Sequence, residues 1–146
     1  MAQQARKKPF EGLRVADFAW VGVGPTVSKY LADHGAEVIR IESSTYPEAL
    51  RRVGPFVNDT PNIDGSGYYA NFNSSKLCMS VNFKHPRGPE LVRRLVAKCD
   101  VVTESYTPGT MARFGFDYES LSAGRDDLLM VSMPLYGQTG PWANYM

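Results

Sequence analysis

Two glycines one residue apart, Gly22 and Gly24, followed about twenty residues later by the carboxylate Glu42, form the spacing in this chain that most resembles a nucleotide site. In a dinucleotide-binding turn, backbone amides cradle a pyrophosphate at the start of a helix and the acid holds a ribose hydroxyl. Two departures count against that chemistry. Val27 stands where the third glycine of the fingerprint belongs, and Pro25 removes an N–H that a phosphate would use. A tight strand-to-helix turn with no ligand accounts for the same residues, and a nicotinamide cofactor is disfavoured.

The other reactive groups are sparse. The two histidines, His34 and His85, and the two cysteines, Cys78 and Cys99, fall at no ligand spacing, which argues against zinc. Each cysteine stands in an apolar context and reads as a reduced, buried thiol rather than half of a disulfide. His34 precedes Gly35 and suits a helix C-terminus, while His85 and Pro86 belong to a turn. Asp17 lies inside an apolar run and reads as an acid that orders nearby backbone. Glu104 closes another such run, where a ligand-side role and a structural hydrogen-bonding role are both open. None of these groups is assigned to catalysis.

The elements that position them follow from periodicity. Leu13 to Phe18 reads as a short buried strand, and a helix follows from about Thr26 to His34, with Pro25 in its first turn and Gly35 as its left-handed stop. Glu37 to Glu42 is a second strand, which completes a βαβ unit. Residues 43–75, rich in Ser, Pro, Gly, Asn and Tyr, read as a long irregular excursion with one helical turn near Glu48 to Val53; excursions of this length are usually functional or mobile. Leu77 to Phe83 alternates as a strand, with Leu77, Met79, Val81 and Phe83 on one face. Pro86 to Lys98 is a helix striped by Leu91, Val92, Leu95 and Val96. Asp100 to Glu104 is a strand, short helices follow to Phe114 and over Tyr118 to Ala123, and Leu128 to Met133 is a last strand.

Strands alternating with helices predict an α/β fold with a Rossmann-like, doubly wound, mostly parallel sheet spanning residues 1–146 as one domain. Ligands in such folds sit at the carboxyl ends of the strands. Here that directs attention to Trp20 to Pro25, Ser43 onward, Ser105 to Gly109, and Pro134 to Pro141.

Composition excludes several function classes. Sixteen basic against fifteen acidic residues leave a net charge of +1, and Arg6-Lys7-Lys8 is too short to be more than a solvated arm, so neither a nucleic-acid surface nor a membrane-attracted face is expected. A hydrophobic share of 43% and a charged share of 21% are those of a soluble globular protein. No apolar run approaches membrane-spanning length and no signal peptide is evident, so a cytoplasmic location is expected.

Five ordered segments carry a resemblance. Phe10-Glu11-Gly12-Leu13-Arg14-Val15-Ala16-Asp17-Phe18 leads to Gly24-Pro25 and then to Leu31-Ala32-Asp33-His34-Gly35-Ala36-Glu37-Val38-Ile39-Arg40-Ile41-Glu42. Phe72-Asn73-Ser74-Ser75-Lys76-Leu77 with Ser80-Val81 comes next, then Asp100-Val101-Val102-Thr103-Glu104-Ser105-Tyr106-Thr107-Pro108-Gly109. Arg113-Phe114-Gly115 and Tyr136-Gly137-Gln138-Thr139-Gly140-Pro141 complete the series. Together they resemble the N-terminal portion of family III CoA-transferases, a family that also includes α-methylacyl-CoA racemases and carnitine CoA-transferases.

The resemblance implies a site for coenzyme A, bound as acyl-CoA substrate, with a carboxylic acid as acceptor. Val21 and Gly22 would lie along the adenine and pantetheine path. Lys76 and Arg113, a point charge and a planar fork, would meet phosphates or the adenine end. Ser105, Tyr106, Pro108, Gly109 and Thr110, with Phe114 beyond them, would line the channel. In the transferases an aspartate attacks the thioester, giving an acyl-aspartyl anhydride, then an enzyme-CoA thioester, then transfer. The racemase branch uses a His and an Asp for proton transfer. Both motifs lie downstream of the Gly-Gln-Thr-Gly-Pro loop, so no catalytic residue is assigned here and the chain reads as a fragment of a longer, homodimeric enzyme. A racemase-like fragment and a non-catalytic CoA-binding or subunit-interaction module stay open.

Three positions depart from the family pattern. Ser105 replaces the usual Asn, which puts a hydrogen bond there in doubt. Ser43 replaces a basic residue of formyl-CoA transferases, and Trp20-Val21-Gly22 lacks their glutamine, so a bulkier acyl group than formyl is favoured.

Overall fold

The computed structural model describes residues 7–145; Arg6 of the basic arm and the terminal Met146 lie outside them. Five parallel strands form one sheet in the order β3-β2-β1-β4-β5. They are β1 (Arg14–Asp17), β2 (Glu37–Glu42), β3 (Leu77–Ser80), β4 (Val101–Glu104) and β5 (Leu129–Ser132). Helix α1 (Val23–Asp33) joins β1 to β2, α2 (Gly67–Asn73) precedes β3, α3 (Gly88–Val96) joins β3 to β4, and α4 (Thr110–Arg113) and α5 (Tyr118–Leu121) lead to β5.

The pleat sorts side chains to the two faces. Val15, Val38 and Val101 cluster with Ala32 and Ala36 under α1. Ala16, Phe18, Ile41 and Val102 point the other way, into a larger core closed by Val92 and Val96 of α3, Met111 of α4, Phe116, and Leu121 of α5. Near-continuous apolar strands are what a parallel sheet covered on both faces requires. At the end of α1, Gly35 takes φ +110° and lets the chain turn into β2.

Several expectations shift. Helix α1 begins three residues earlier than its apolar run suggests, because Gly24 and Pro25 are accommodated in its first turn. The excursion over 43–75 contains the expected short helical turn, a 3-10 turn at Ala49–Arg52, but also α2, capped by Ser66, whose hydroxyl accepts the Tyr69 N–H. Strand β3 stops at Ser80, and Leu77 at the start of this edge strand is exposed instead of sharing the core with Val81. Cys99 is buried as expected, whereas Cys78 is exposed, on the sheet's outer strand, where its thiol lies 3.3 Å from Glu42 Oε1. Among the described residues no helix is long and apolar enough to cross a membrane.

Candidate functional site

Strand order reverses at β1: the chain winds outward through β2 and β3, then crosses back to place β4 on the other side of β1. The loops leaving β1 and β4 therefore diverge, which is where doubly wound sheets open a ligand crevice. Ser105 bridges that crevice. Its Oγ accepts the Trp20 N–H at 2.7 Å and lies 3.1 Å from the Trp20 carbonyl, to which it donates. The serine that stands in place of the usual asparagine is thus engaged with the Trp20 backbone. Gly24 lets α1 approach this bridge, since a Cβ there would lie 2.5 Å from Ala19 Cβ and 3.0 Å from Ser105 Cβ. Val21, next in the turn, has φ +63° and is 52% exposed; Gly22 is the N-cap of α1.

Beneath the turn lies a layer of buried charge that the sequence did not announce. Arg40, Asp17 and Glu48 are essentially inaccessible to solvent. Arg40 Nη1 donates to the Ala19 carbonyl at 2.6 Å and lies 3.7 Å from Asp17 Oδ2. Asp17 also accepts from the Ala19 N–H, from Ser28 and from Thr103, at 3.0, 2.7 and 2.8 Å.

Lys76, expected near phosphates, belongs to this layer. Its ammonium, on a side chain 1% exposed, lies 2.8–3.0 Å from Asp17 Oδ2, the Pro25 carbonyl, Ser28 Oγ and Asn73 Oδ1. An ammonium has three protons, and these four oxygens already claim them. Burial pulls its pKa below the ordinary lysine value, with Asp17 opposing. Glu42, the acid of the dinucleotide reading, is likewise engaged. Arg51 donates to both of its oxygens at 2.8 and 3.0 Å, and Tyr69 donates to Oε1. Burial alone would raise its pKa, but the bonds from Arg51 and Tyr69 and the charges of Arg40 and Arg51 outweigh that and hold it at about 2. Both carboxylate oxygens are thus already engaged within the protein.

Two cavities open at the carboxyl ends of the strands. One, of about 350 Å³, is lined by Ser43, Thr45, Tyr46, Asn82, Phe83, Lys84 and Phe114. Its floor is aromatic: Phe83 meets Phe114 edge-on at 5.3 Å and Phe116 at 5.5 Å. Tyr46 stacks on Trp20 at 5.6 Å, and Trp20 also contacts the Tyr106 ring at 6.1 Å, so an aromatic track runs from the cavity to the crevice. Burial raises the pKa of the Tyr106 hydroxyl, which stays neutral. Arg113, adjacent to Phe114, is exposed and donates to Thr110 Oγ1 at 2.9 Å. The second cavity, of about 290 Å³, includes Glu104, Thr107, Gly109, Met130 and Gln138. Within it Glu104 accepts from the Tyr106 N–H at 2.8 Å and from Gln138 at 3.0 Å.

Of the residues singled out in the sequence, Val21, Gly22, Ser105 and Tyr106 meet at the crevice and Phe114 lines the larger cavity, while Arg113, next in sequence, is exposed and bonds Thr110. Gly109 faces the other cavity, and Thr110, hydrogen-bonded to Thr107 and Arg113, and half-buried Pro108 frame the same loop. Lys84, Phe83 and Tyr46, which line the larger cavity, were not singled out in the sequence. Among the described residues no group of three or more His, Cys, Asp or Glu side chains is arranged to hold a metal ion.

Residues 10–146 match CoA-transferase family III. The chain is 38% identical over 138 residues to succinyl-CoA:glutarate CoA-transferase of Mus musculus, covering 94% of this chain and 30% of that protein. It is 40% identical over 143 residues to succinate–glutarate CoA-transferase of Agrobacterium fabrum, covering 96% and 36%. A crystal structure of a CAIB/BAIF family protein from Brucella suis, 36% identical, aligns with a TM-score of 0.85 over 96% of this chain and 37% of that one. The chain spans about a third of the length of these relatives. By sequence match and by fold, it belongs to CoA-transferase family III.

Proposed function

We propose that this chain supplies the coenzyme A-binding portion of an acyl-CoA:carboxylate CoA-transferase, with the attacking aspartate contributed by sequence downstream of it. The observation that carries this reading is the aromatic cavity with a cation at its edge, joined by Tyr46 and Trp20 to the turn at Val21. An adenine would lie against Phe83 and Phe114, and Lys84 and Arg113 would hold phosphates by charge-assisted hydrogen bonds. The pantetheine arm would pass Tyr106 and the Pro108 to Thr110 loop toward Val21 and Gly22. This division of labour suits the chemistry. The carboxylate attacks the thioester carbonyl and expels CoA as a thiolate; that thiolate then attacks the aspartyl carbonyl and releases the first acid. Throughout, the nucleotide end must stay anchored while the sulfur changes partners, which is binding energy from a non-reacting part of the substrate put to use at the reacting centre.

Calorimetry with CoA and with NAD tests the reading directly. CoA should bind, and Arg113→Ala should weaken it by roughly 1–3 kcal/mol. Preference for NAD, or an Arg113→Ala affinity equal to that of the natural chain, would overturn it.

A further inference from the structure

One backbone conformation in the crevice is opposed by its own side chain. Val21 occupies the left-handed region at φ +63°, where a β-branched residue is an outlier. The side chain is half exposed, so core packing does not force it there. What faces its amide is Glu48, a fully buried acid from the excursion between β2 and β3. Glu48 Oε1 accepts the Val21 N–H at 3.2 Å and the Leu50 N–H at 3.1 Å. The other oxygen, Oε2, lies 3.6 Å from Arg40 Nη2, and these two atoms are, among the described residues, buried side-chain atoms without a hydrogen-bond partner. The carboxylate is therefore placed to suit two backbone amides, and the guanidinium balances its charge without bonding to it. The preceding backbone is held from other segments: Arg40 takes the Ala19 carbonyl and Ser105 takes both polar atoms of Trp20.

We infer that Glu48 is a positioning residue that clamps Val21 in the left-handed conformation and so fixes how the βα turn is presented to acyl-CoA. The ligand half of this inference rests on the acyl-CoA reading of the turn; the clamp half does not.

The test is a cycle of variants in the 146-residue chain, read by CoA calorimetry, urea denaturation and NMR of labelled Val21. Glycine adopts positive φ freely, so a residue that acts through Val21's backbone becomes dispensable once Val21 is glycine. Glu48→Ala should weaken CoA about tenfold in the natural background, as loss of a buried acceptor predicts, and no more than about twofold in Val21→Gly. Glu48→Gln keeps an acceptor oxygen and should restore affinity to within about threefold. Val21→Gly alone should leave the urea midpoint unchanged or higher, because relief of the left-handed strain offsets the freedom glycine gains in the unfolded chain and the half-exposed side chain packs little. Equal losses in both backgrounds, or a lower midpoint in Val21→Gly, would overturn the clamp. If the natural chain does not bind CoA, the acyl-CoA reading fails instead. In that case the HN–Hα coupling and Cα/Cβ shifts of Val21 still decide: departure from left-handed values in Glu48→Ala supports the clamp, and their persistence sinks it.

Discussion

On the proposed reading, two lysines eight positions apart have opposite jobs, and replacing each separates them. Lys76→Met removes an ammonium from a buried site with four oxygen neighbours while keeping the length of the stem. Asp17, wholly buried, then has Arg40 as its nearest remaining cation, at 3.7 Å. Breaking a buried pair in this way costs about 3–5 kcal/mol. Asp17 keeps hydrogen bonds from Ser28, Thr103 and the Ala19 N–H, which favours the lower end, about 3 kcal/mol. With an unfolding entropy near 2.1 cal/mol/K per residue, a chain of this size should lose roughly 10 °C in Tm. Lys84→Met removes an exposed charge at the rim of the larger cavity. Stability should stay within about 0.5 kcal/mol, while CoA affinity falls by roughly 1.5 kcal/mol, or about tenfold. Urea denaturation followed by far-UV circular dichroism reads the first effect and CoA calorimetry the second. A Lys76→Met chain with the natural urea midpoint and no CoA affinity would refute the assignment and return the phosphate role to Lys76.

Two further outcomes test the support beneath the site. Glu42 is held at about 2 against an ordinary 4.5. Because its folded pKa is depressed, its stabilisation is full above about pH 5 and is lost as pH falls toward 2, up to about 3 kcal/mol in all; urea midpoints measured down that range should fall, and Glu42→Gln should flatten the fall. Gly24→Ala places a methyl against Ala19 Cβ and the Ser105 bridge, neither of which is a flexible tip that can swing away. It should cost about 1–3 kcal/mol of stability through overpacking, and a variant as stable as the natural chain would show that α1 does not press on the crevice as closely as described.

The sheet was legible because its signals are local. Apolar runs of four to six residues bounded by Gly24-Pro25, Gly35 and Pro108-Gly109 mark β1, β2 and β4 and the turns between them. Helix α2 was not legible, because Gly-Tyr-Tyr-Ala-Asn-Phe-Asn is short and mostly of weak helix formers; it is held by the Ser66 cap and by packing against α1. The buried charge layer was hidden for a different reason. Asp17, Arg40, Glu48 and Lys76 come from four segments, and nothing within any one of them says that its charge is neutralised by the others.

Lys76 is the instructive case, because the structure engages it with Asp17 while the strand-end rule directs attention to Lys84. Ligands in doubly wound sheets bind at the carboxyl ends of strands. Lys76 precedes β3, at its amino end, whereas Lys84 follows it at the carboxyl end. The loops after β1, β2, β4 and β5 were picked out from the sequence and the one after β3 was not, because a motif had drawn attention to the lysine before the strand. A conspicuous lysine beside Asn73 and Ser75 marks a place where charge is needed, and a carboxylate inside the fold needs charge as much as a phosphate outside it does. Only the partner separates the two, and here Asp17 supplies it from 59 residues away. Topology narrows the choice where residue type cannot: Lys76 starts at the amino end of β3 and spends its length reaching Asp17 and the Pro25 carbonyl beneath the turn, whereas Lys84 stands exposed beyond the strand's carboxyl end.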